Sequence, residues 1–533
     1  MGAAGGGFDK SAFQKVPKAA RKPYIWLAVI WASYCGGLHG FNTSNISGAM
    51  SLAPFVRDFG WTNSTDSQIS NDSGWAVSSM LLGQTAGVIF SGPFGERYGR
   101  KPVILSAAIL YTIGAVLMAA NFGSFAQLLA GRVLSGLGSG LGMTVGPVYI
   151  SEVAPQELRG MMTTFYNINI MAGVAGSYWI NYASLEVLPP DSSWQWRATL
   201  TLQLIPSLAL FLGYPFFPES PRYLFMRGET TAARNSLRRL RGGLSEADPY
   251  LHAELTDLHL LPQSESNSKG GLAAIKHLIT ESLHDRPTAH LLTFVLLIQT
   301  FFIMSGGNSI TYYAPTILKS IGLSSQQRLL FTAVYGLIKL LTIFLYAFLL
   351  TDRYGRRPLL LIGSTICTAC LLYLCIFLGV ADISARGSPS AAAWLAIVAI
   401  CLFAVGYGVG WAPVFSLTAS EICPTRLRGP VVAVAFTYQN LLNFGITRGF
   451  PNMVREMHSW GPFALFAACT ALATGWVWVA FPECKGRSME GCREVFVGVR
   501  WYQTGFVGVD ALEAEGRGEV VHLGDAPITS QGE

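Results

Sequence analysis

Glu96-Arg97-Tyr98-Gly99-Arg100-Lys101-Pro102 returns later in the chain as Asp352-Arg353-Tyr354-Gly355-Arg356-Arg357-Pro358. Two further motifs follow each copy in the same order. Ser151-Glu152-Val153-Ala154-Pro155 with Arg159-Gly160 returns as Ser420-Glu421-Ile422-Cys423-Pro424 with Arg428-Gly429, and Pro218-Glu219 returns as Pro482-Glu483. The offsets are 256 (352 − 96), 269 (421 − 152) and 264 (482 − 218) residues. Such a long, repeated spacing describes two related halves rather than a string of small domains, and duplicated membrane halves are a transporter architecture.

Composition points the same way. Hydrophobic residues make up 51% of the chain and charged residues 13%, too apolar for a soluble protein of this length. The expected fold is an all-α membrane protein with twelve transmembrane helices in two pseudo-symmetric six-helix halves. Apolar stretches of spanning length fall near 24–50, 73–94, 102–120, 125–149, 161–184, 197–217, 291–318, 328–350, 357–380, 391–418, 430–455 and 460–481. The expected organisation is an N-terminal segment 1–23, a first half 24–217, a helical linker 218–290 with short helices near 247–261 and 271–283, a second half 291–481 and a polar tail 482–533.

Lys10, Lys15, Lys18, Arg21 and Lys22 precede the first span, whereas the next loop carries Arg57 against Asp58, Asp66 and Asp72. This bias predicts a cytoplasmic N-terminus, and twelve spans return the C-terminus to the same side. The first apolar segment has full span length behind a long basic stretch, so it reads as an inserted helix and not a cleaved signal. The net charge of +6 is accounted for by these basic loops and does not indicate nucleic-acid binding. Cys367, Cys370, Cys375, Cys401 and Cys469 fall in predicted spans, and Cys367-Thr368-Ala369-Cys370 has no second pair nearby, so neither metal nor cofactor is implied. Gly136, Gly138, Gly140 and Gly142 lie inside an apolar span with no preceding strand; they read as close helix packing and not as a nucleotide loop.

Polar groups that survive inside spans are costly in lipid and turn to a cavity or to another helix. They are His39 and Asn42 on span 1, Arg132 on span 4, Asn167 and Asn169 on span 5, Gln299 and Asn308 on span 7, Lys339 on span 8, Gln439, Asn440 and Asn443 on span 11, and Arg448 at the end of that span. Lys339 lies 13 residues (352 − 339) before Asp352, about 20 Å deep and near the bilayer midplane. No Asp or Glu falls in the middle of a predicted span, so an anionic substrate could neutralise Lys339. Two alternatives stay open: a neutral sugar or polyol beside Lys339 in its uncharged form, or a Lys339 bonded to carbonyls of a neighbouring helix.

The chain resembles the sugar porter branch of the major facilitator superfamily over essentially all of residues 24–490. The resemblance rests on the duplicated Gly-Arg motifs, Gly131-Arg132, Pro147, Tyr149, Glu152, Pro218-Glu219-Ser220-Pro221-Arg222, Gly306, Asn308, Tyr312-Tyr313-Ala314-Pro315 and Pro482-Glu483-Cys484-Lys485-Gly486. Tyr335-Gly336-Leu337-Ile338-Lys339 is similar to the fungal quinate-type subgroup. The resemblance implies a transporter working by alternating access on a polyhydroxylated small molecule, not an enzyme. It implies substrate contacts at Asn42, Asn167, Gln299, Asn308, Tyr313, Lys339, Ser416, Gln439 and Asn440. It implies gate residues at Glu96, Arg97, Arg100, Glu152 and Arg159, with Asp352, Arg353, Arg356, Glu421 and Arg428 as their second copy. The family's glutamine pair is replaced by Phe302 and Ile303, and its tryptophans by Ser416 and Asn440, which departs from a standard hexose cage.

Proton symporters of the family carry an aspartate, facing the arginine of span 4, where this chain has Asn42. Asn42 does not titrate, which favours facilitated diffusion; His39, one turn away, is the alternative proton carrier. Asn63-Ser64-Thr65 and Asn71-Asp72-Ser73 are glycosylation sequons in the first outer loop. The contrasting reading is a non-transporting nutrient sensor on the same scaffold. The expected partners are a small-molecule substrate, the lipid bilayer and, as a candidate co-substrate, protons. The expected location is a multi-pass plasma-membrane protein.

Overall fold

A computed structural model describes residues 10–245, 247–265, 271–380, 390–413 and 425–481, and among them every regular element is helical. The membrane-length elements are α1 (Pro23–Ala49), α2 (Asp66–Tyr98), α3 (Arg100–Ala119), α4 (Phe125–Val153), α5 (Arg159–Val187) and α6, formed by Trp194–Leu202 and Leu204–Gly213. The second set is α7, formed by Arg286–Met304 and Gly307–Ser320, then α8 (Ser325–Leu345), α9 (Arg356–Val380), α10 (Ala391–Val409), α11 (Thr425–Glu456) and α12 (Gly461–Ala480).

Seven of these stretches are long and apolar enough to cross a membrane by length and composition: α3, α4, α7, α8, α9, α10 and α12. The others have their apolar runs interrupted by polar residues that face neighbouring helices. Asn42, Ser44 and Asn45 on α1, Ser78 and Gln84 on α2, Ser177 and Asn181 on α5, and Asn440 and Asn443 on α11 are all buried. Hydropathy falls where a helix lines the interior, because the interior is where polar side chains find partners.

The helix ends repeat between the halves. Thr65 and Gln68 cap each other at the start of α2, and Ser324 and Gln327 do the same at the start of α8. α2 ends at Gly99 and the short helix after α8 ends at Gly355, with φ of 100° and 77°, the left-handed region that favours glycine. The span expected over 291–318 is broken: Gly306 sits at φ 78°, and a Cβ there would lie 2.7 Å from the Phe466 ring. α8 passes into a π turn over 346–350.

The glycines of α4 bring backbones together. A Cβ on Gly136 would come within 2.1 Å of the Met80 carbonyl of α2, and one on Gly138 within 2.5 Å of the Ala107 carbonyl of α3. Between the halves the linker forms helices Pro221–Met226, Thr230–Leu240, Pro249–Glu265 and Gly271–His284. Phe225, Ala233, Leu237, Leu251 and Leu255 make its small core. Arg241 fastens it to α4: its Nη1 donates to the Val153 carbonyl at 2.9 Å while Nε and Nη2 bind Glu254 at 2.7 and 2.8 Å. The side of the bundle that carries this linker is the linker face; the opposite side is the far face.

Gly136→Val should abolish assembly, since even its first added carbon overlaps a carbonyl that cannot move without moving α2, and overpacking of this kind costs about 1–3 kcal/mol or more. Gly92→Ala meets nothing within 4 Å and should leave the yield of monodisperse protein, measured by size-exclusion chromatography, unchanged.

Candidate substrate site

Arg132 is fully buried at the junction of α1, α2 and α4. Its Nη1 donates to the Asn42 carbonyl at 2.7 Å and to Asn42 Oδ1 at 2.8 Å, its Nε to the Ala76 carbonyl at 2.9 Å and its Nη2 to the Val77 carbonyl at 3.1 Å. Asn42 Nδ2 turns to Ser135 Oγ at 3.1 Å. Every acceptor named is neutral, so the guanidinium is satisfied by dipoles instead of a carboxylate. His39, half-buried, shares a 3.0 Å hydrogen bond through Nδ1 with Gln84 Nε2.

In the second half, Lys339 is 4% exposed. Its Nζ donates to Thr311 Oγ1 at 2.8 Å and lies 5.6 Å from the ring centroid of Tyr335 and 5.2 Å from that of Tyr407. Tyr407 OH donates to Asn308 Oδ1 at 3.1 Å, and its ring stacks on Phe302. The cation is held by one hydroxyl and two aromatic faces, with no carboxylate at ion-pair distance among the described residues. Sequence reasoning missed Thr311, Tyr335 and Tyr407. The spacing of Tyr335 four residues before Lys339 was a usable signal, whereas Tyr407 on α10 has no local one.

The second half also holds buried polar atoms with no hydrogen bond among the described residues: both side-chain polar atoms of Gln299, Oε1 of Gln439, Nδ2 of Asn440 and Nε1 of Trp411. The Thr300 to Tyr438 hydrogen bond, 2.9 Å, ties α7 to α11 at the positions adjoining Gln299 and Gln439. Orphaned buried amides of this kind are costly unless something else reaches them. Asn167 on α5 is half-buried and makes no side-chain hydrogen bond among the described residues. Tyr313 is engaged within the second half: its hydroxyl donates to the Thr447 carbonyl at 2.9 Å and its ring stacks on Phe450. Asn169 ties α5 to Ser33 of α1 at 2.6 Å, and Asn443 donates to Tyr312 OH at 3.3 Å. Ser416 and Glu421 lie outside the described residues, as do the side chains of Asp352 and Arg428.

On the linker face Arg100 grips Glu152 with Nε and Nη2 at 3.0 and 2.9 Å. Arg97 is exposed, with its guanidinium 5.3 Å from the neighbouring Tyr98 ring. Glu96 is also exposed, as are Arg159 and Arg353, while Arg356 is buried. Glu219, which the motif reading left without a contact, accepts from the backbone N–H of Arg100 at 3.1 Å and of Lys101 at 3.0 Å. Burial pushes its carboxyl above the usual range, against the pull of those N–H groups and of Arg100.

At the far face the two halves meet directly. Arg448 of α11 hydrogen-bonds Asn71 of α2 and lies 4.8 Å over the Trp75 ring. Gln326 donates to Glu186 at 2.7 Å, and Tyr178 of α5 donates to the Thr311 carbonyl of α7.

The chain matches the family described as "Sugar (and other) transporter" over residues 28–496. The chain belongs to that family. The sugar transporter family member in hand is 32% identical over 487 residues to a "Probable quinate permease" of Aspergillus fumigatus, covering 90% of this chain and 89% of that one. It is 29% identical to "Sugar transport protein 7" of Arabidopsis thaliana, over 88% of this chain and 89% of that one. Among solved structures it is similar to the proton:xylose symporter XylE bound to 6-bromo-6-deoxy-D-glucose, with a TM-score of 0.72, 25% identity and coverage of 89% of this chain and 99% of that one. The inward open form of XylE from E. coli shares the fold with a TM-score of 0.70. This chain is accordingly a multi-pass membrane transporter of the sugar type and not an enzyme.

Gln299→Met removes both orphaned amide atoms while keeping the side chain's length. The melting temperature of the unliganded protein should hold or rise, since an unsatisfied buried polar group costs about 1–3 kcal/mol; a fall would mean that the amide has a protein partner.

Proposed function

We propose that this transporter carries a polyhydroxylated carboxylate of the quinate type by facilitated diffusion, with Lys339 receiving the carboxylate. The observation that carries the reading is the Lys339 cage. Among the described residues the buried ammonium is held by Thr311, Tyr335 and Tyr407, with no carboxylate to compensate its charge, and an arriving carboxylate supplies that anion. The unpaired amides of Gln299, Gln439 and Asn440 offer donors and acceptors to ring hydroxyls, and Asn308 and Asn167 extend that set. The name of the Aspergillus relatives, "Probable quinate permease", supports the same substrate class.

For coupling, the Asn42 to Arg132 contact supports uniport, because neither Asn42 nor the carbonyls of Ala76 and Val77 can take up a proton. The basic residues Lys15, Lys18, Arg97, Arg100 and Lys101 gather on the linker face, which supports its assignment as cytoplasmic. The contacts of Arg448 with Asn71 and Trp75 at the far face then serve the outer gate. The Arg100 to Glu152 pair serves the inner gate, and opening exchanges between the two ends as the halves rock about the midplane site. The plasma membrane is the proposed location.

Labelled quinate and labelled glucose should be offered to transporter-deficient cells at several external pH values. We expect saturable quinate uptake that is indifferent to a protonophore, and a loss of about 10- to 100-fold in Lys339→Ala, the worth of a charge-assisted hydrogen bond. Glucose uptake unaffected by the mutation, with no quinate uptake, would sink the carboxylate reading. Uptake abolished by the protonophore would instead make His39 the proton carrier.

The two sequons differ in setting. Both asparagines are exposed, but Asn63 ends a short turn, whereas Asn71 lies in the second turn of α2 with its Oδ1 engaged by Arg448. Asn63→Gln should sharpen the band on a denaturing gel and Asn71→Gln should not; a shift for Asn71→Gln alone would overturn the assignment.

A further inference from the structure

We propose that the corner formed by the start of α1, the start of α3, the end of α6 and the helix Thr230–Leu240 binds the phosphate of an anionic phospholipid. Three cations converge there. Lys101 Nζ lies 4.3 Å from the Tyr214 ring centroid. The Arg239 guanidinium lies 5.2 Å over the Tyr24 ring and its Nη2 donates to the Phe216 carbonyl at 2.8 Å. Lys22 Nζ donates to the Gly242 carbonyl at 3.0 Å. The Phe216 carbonyl also accepts from Tyr24 OH at 2.8 Å, so one oxygen at the end of α6 pins both the ring and the guanidinium stacked on it.

The partners that hold these cations are aromatic faces and carbonyls, which fix position without cancelling charge. Lys101 and Arg239 are close enough to repel each other. The Glu219 carboxylate attracts Lys101 more strongly than Arg239 repels it and offsets part of that charge. Lys22 and Arg239 are exposed and are held by carbonyls and an aromatic face. Three cations against one largely buried carboxylate leave the corner positive.

Level and chemistry select the occupant. Leu212 on α6 and Phe216 in the turn after it are 74% and 62% exposed, an apolar surface that acyl chains cover, and the tyrosines stand where aromatic residues mark a membrane interface. The cations sit just beyond that surface, at headgroup height. A basic pocket between membrane helices on the cytoplasmic side is suited to a lipid phosphate, and a free phosphate would make no use of Leu212 and Phe216. The cytoplasmic assignment of the linker face bears only on which leaflet supplies the lipid in cells. The inference is independent of the substrate.

The test uses full-length protein in phosphatidylcholine nanodiscs doped with phosphatidylserine, with the bound lipids counted by native mass spectrometry. Wild type should retain phosphatidylserine in preference, and the double variant Lys101→Gln with Arg239→Gln should lose about fivefold of that preference for each charge removed. Arg238→Gln, exposed on the same helix, should retain it. Should the double variant fail to fold, Lys22→Gln alone should show the loss for one charge. An unchanged preference in these variants, an equal loss in Arg238→Gln, or displacement of the lipid by inorganic phosphate would overturn the proposal.

Discussion

A guanidinium buried between helices must have each of its N–H groups met, and Arg132 meets that demand by drawing three helices together. Its acceptors belong to α1 and to two consecutive carbonyls of α2. Carbonyls inside a helix are already used by the backbone ladder, so they are reached only at close range. The glycines of α4 make that range possible: Gly136 and Gly140 rest against the Met80 and Gln84 carbonyls of α2. Packing and polar satisfaction in the first half are thus one constraint, since a larger residue at Gly136 would push Ala76 and Val77 away from Arg132.

Among the described residues both halves leave buried amide atoms without a hydrogen bond, but Gln299 alone leaves both of its own. In the first half, Gln84 and Gln203 each have one amide atom engaged, with His39 and Asn45 respectively, and the other unmet. In the second half Gln439, Asn440 and Trp411 each leave one buried atom without a partner. With Gln299 they hold bonding capacity in reserve in the half that carries the Lys339 ammonium. A transporter that binds weakly and releases needs such a reserve on one wall, because groups already satisfied by protein would not exchange partners with a solute.

The repeated motifs also serve more than one purpose. Arg100 pairs with Glu152 through its side chain while its backbone N–H is capped by Glu219. One residue therefore links α3, α4 and the start of the linker. The linker is held to the same end of α4 through Arg241 and the Val153 carbonyl. A movement that breaks the Arg100 to Glu152 pair is transmitted directly to the linker helices, because both attachments sit at the last turn of α4.

Much of this was legible in the sequence. The duplicated motifs gave two halves, the apolar runs gave the helices, and the isolation of Arg132 and Lys339 in apolar surroundings marked them as residues that need partners. Asn42 was assigned to Arg132 through family resemblance, and the contact is there. The sequence could not supply the break at Gly306, because a glycine in an apolar run permits a left-handed turn without requiring one; nor could it show that the Phe466 ring leaves no room for a side chain there. Nor could it say which partners Lys339 takes. Tyr335 lies one turn away on the same helix, but Thr311 and Tyr407 come from other helices, and the side of each helix that faces Lys339 is decided by packing. Periodicity fixes that a helix exists and which residues share a face. Which faces meet depends on distances between segments far apart in the chain, and only the folded bundle sets those.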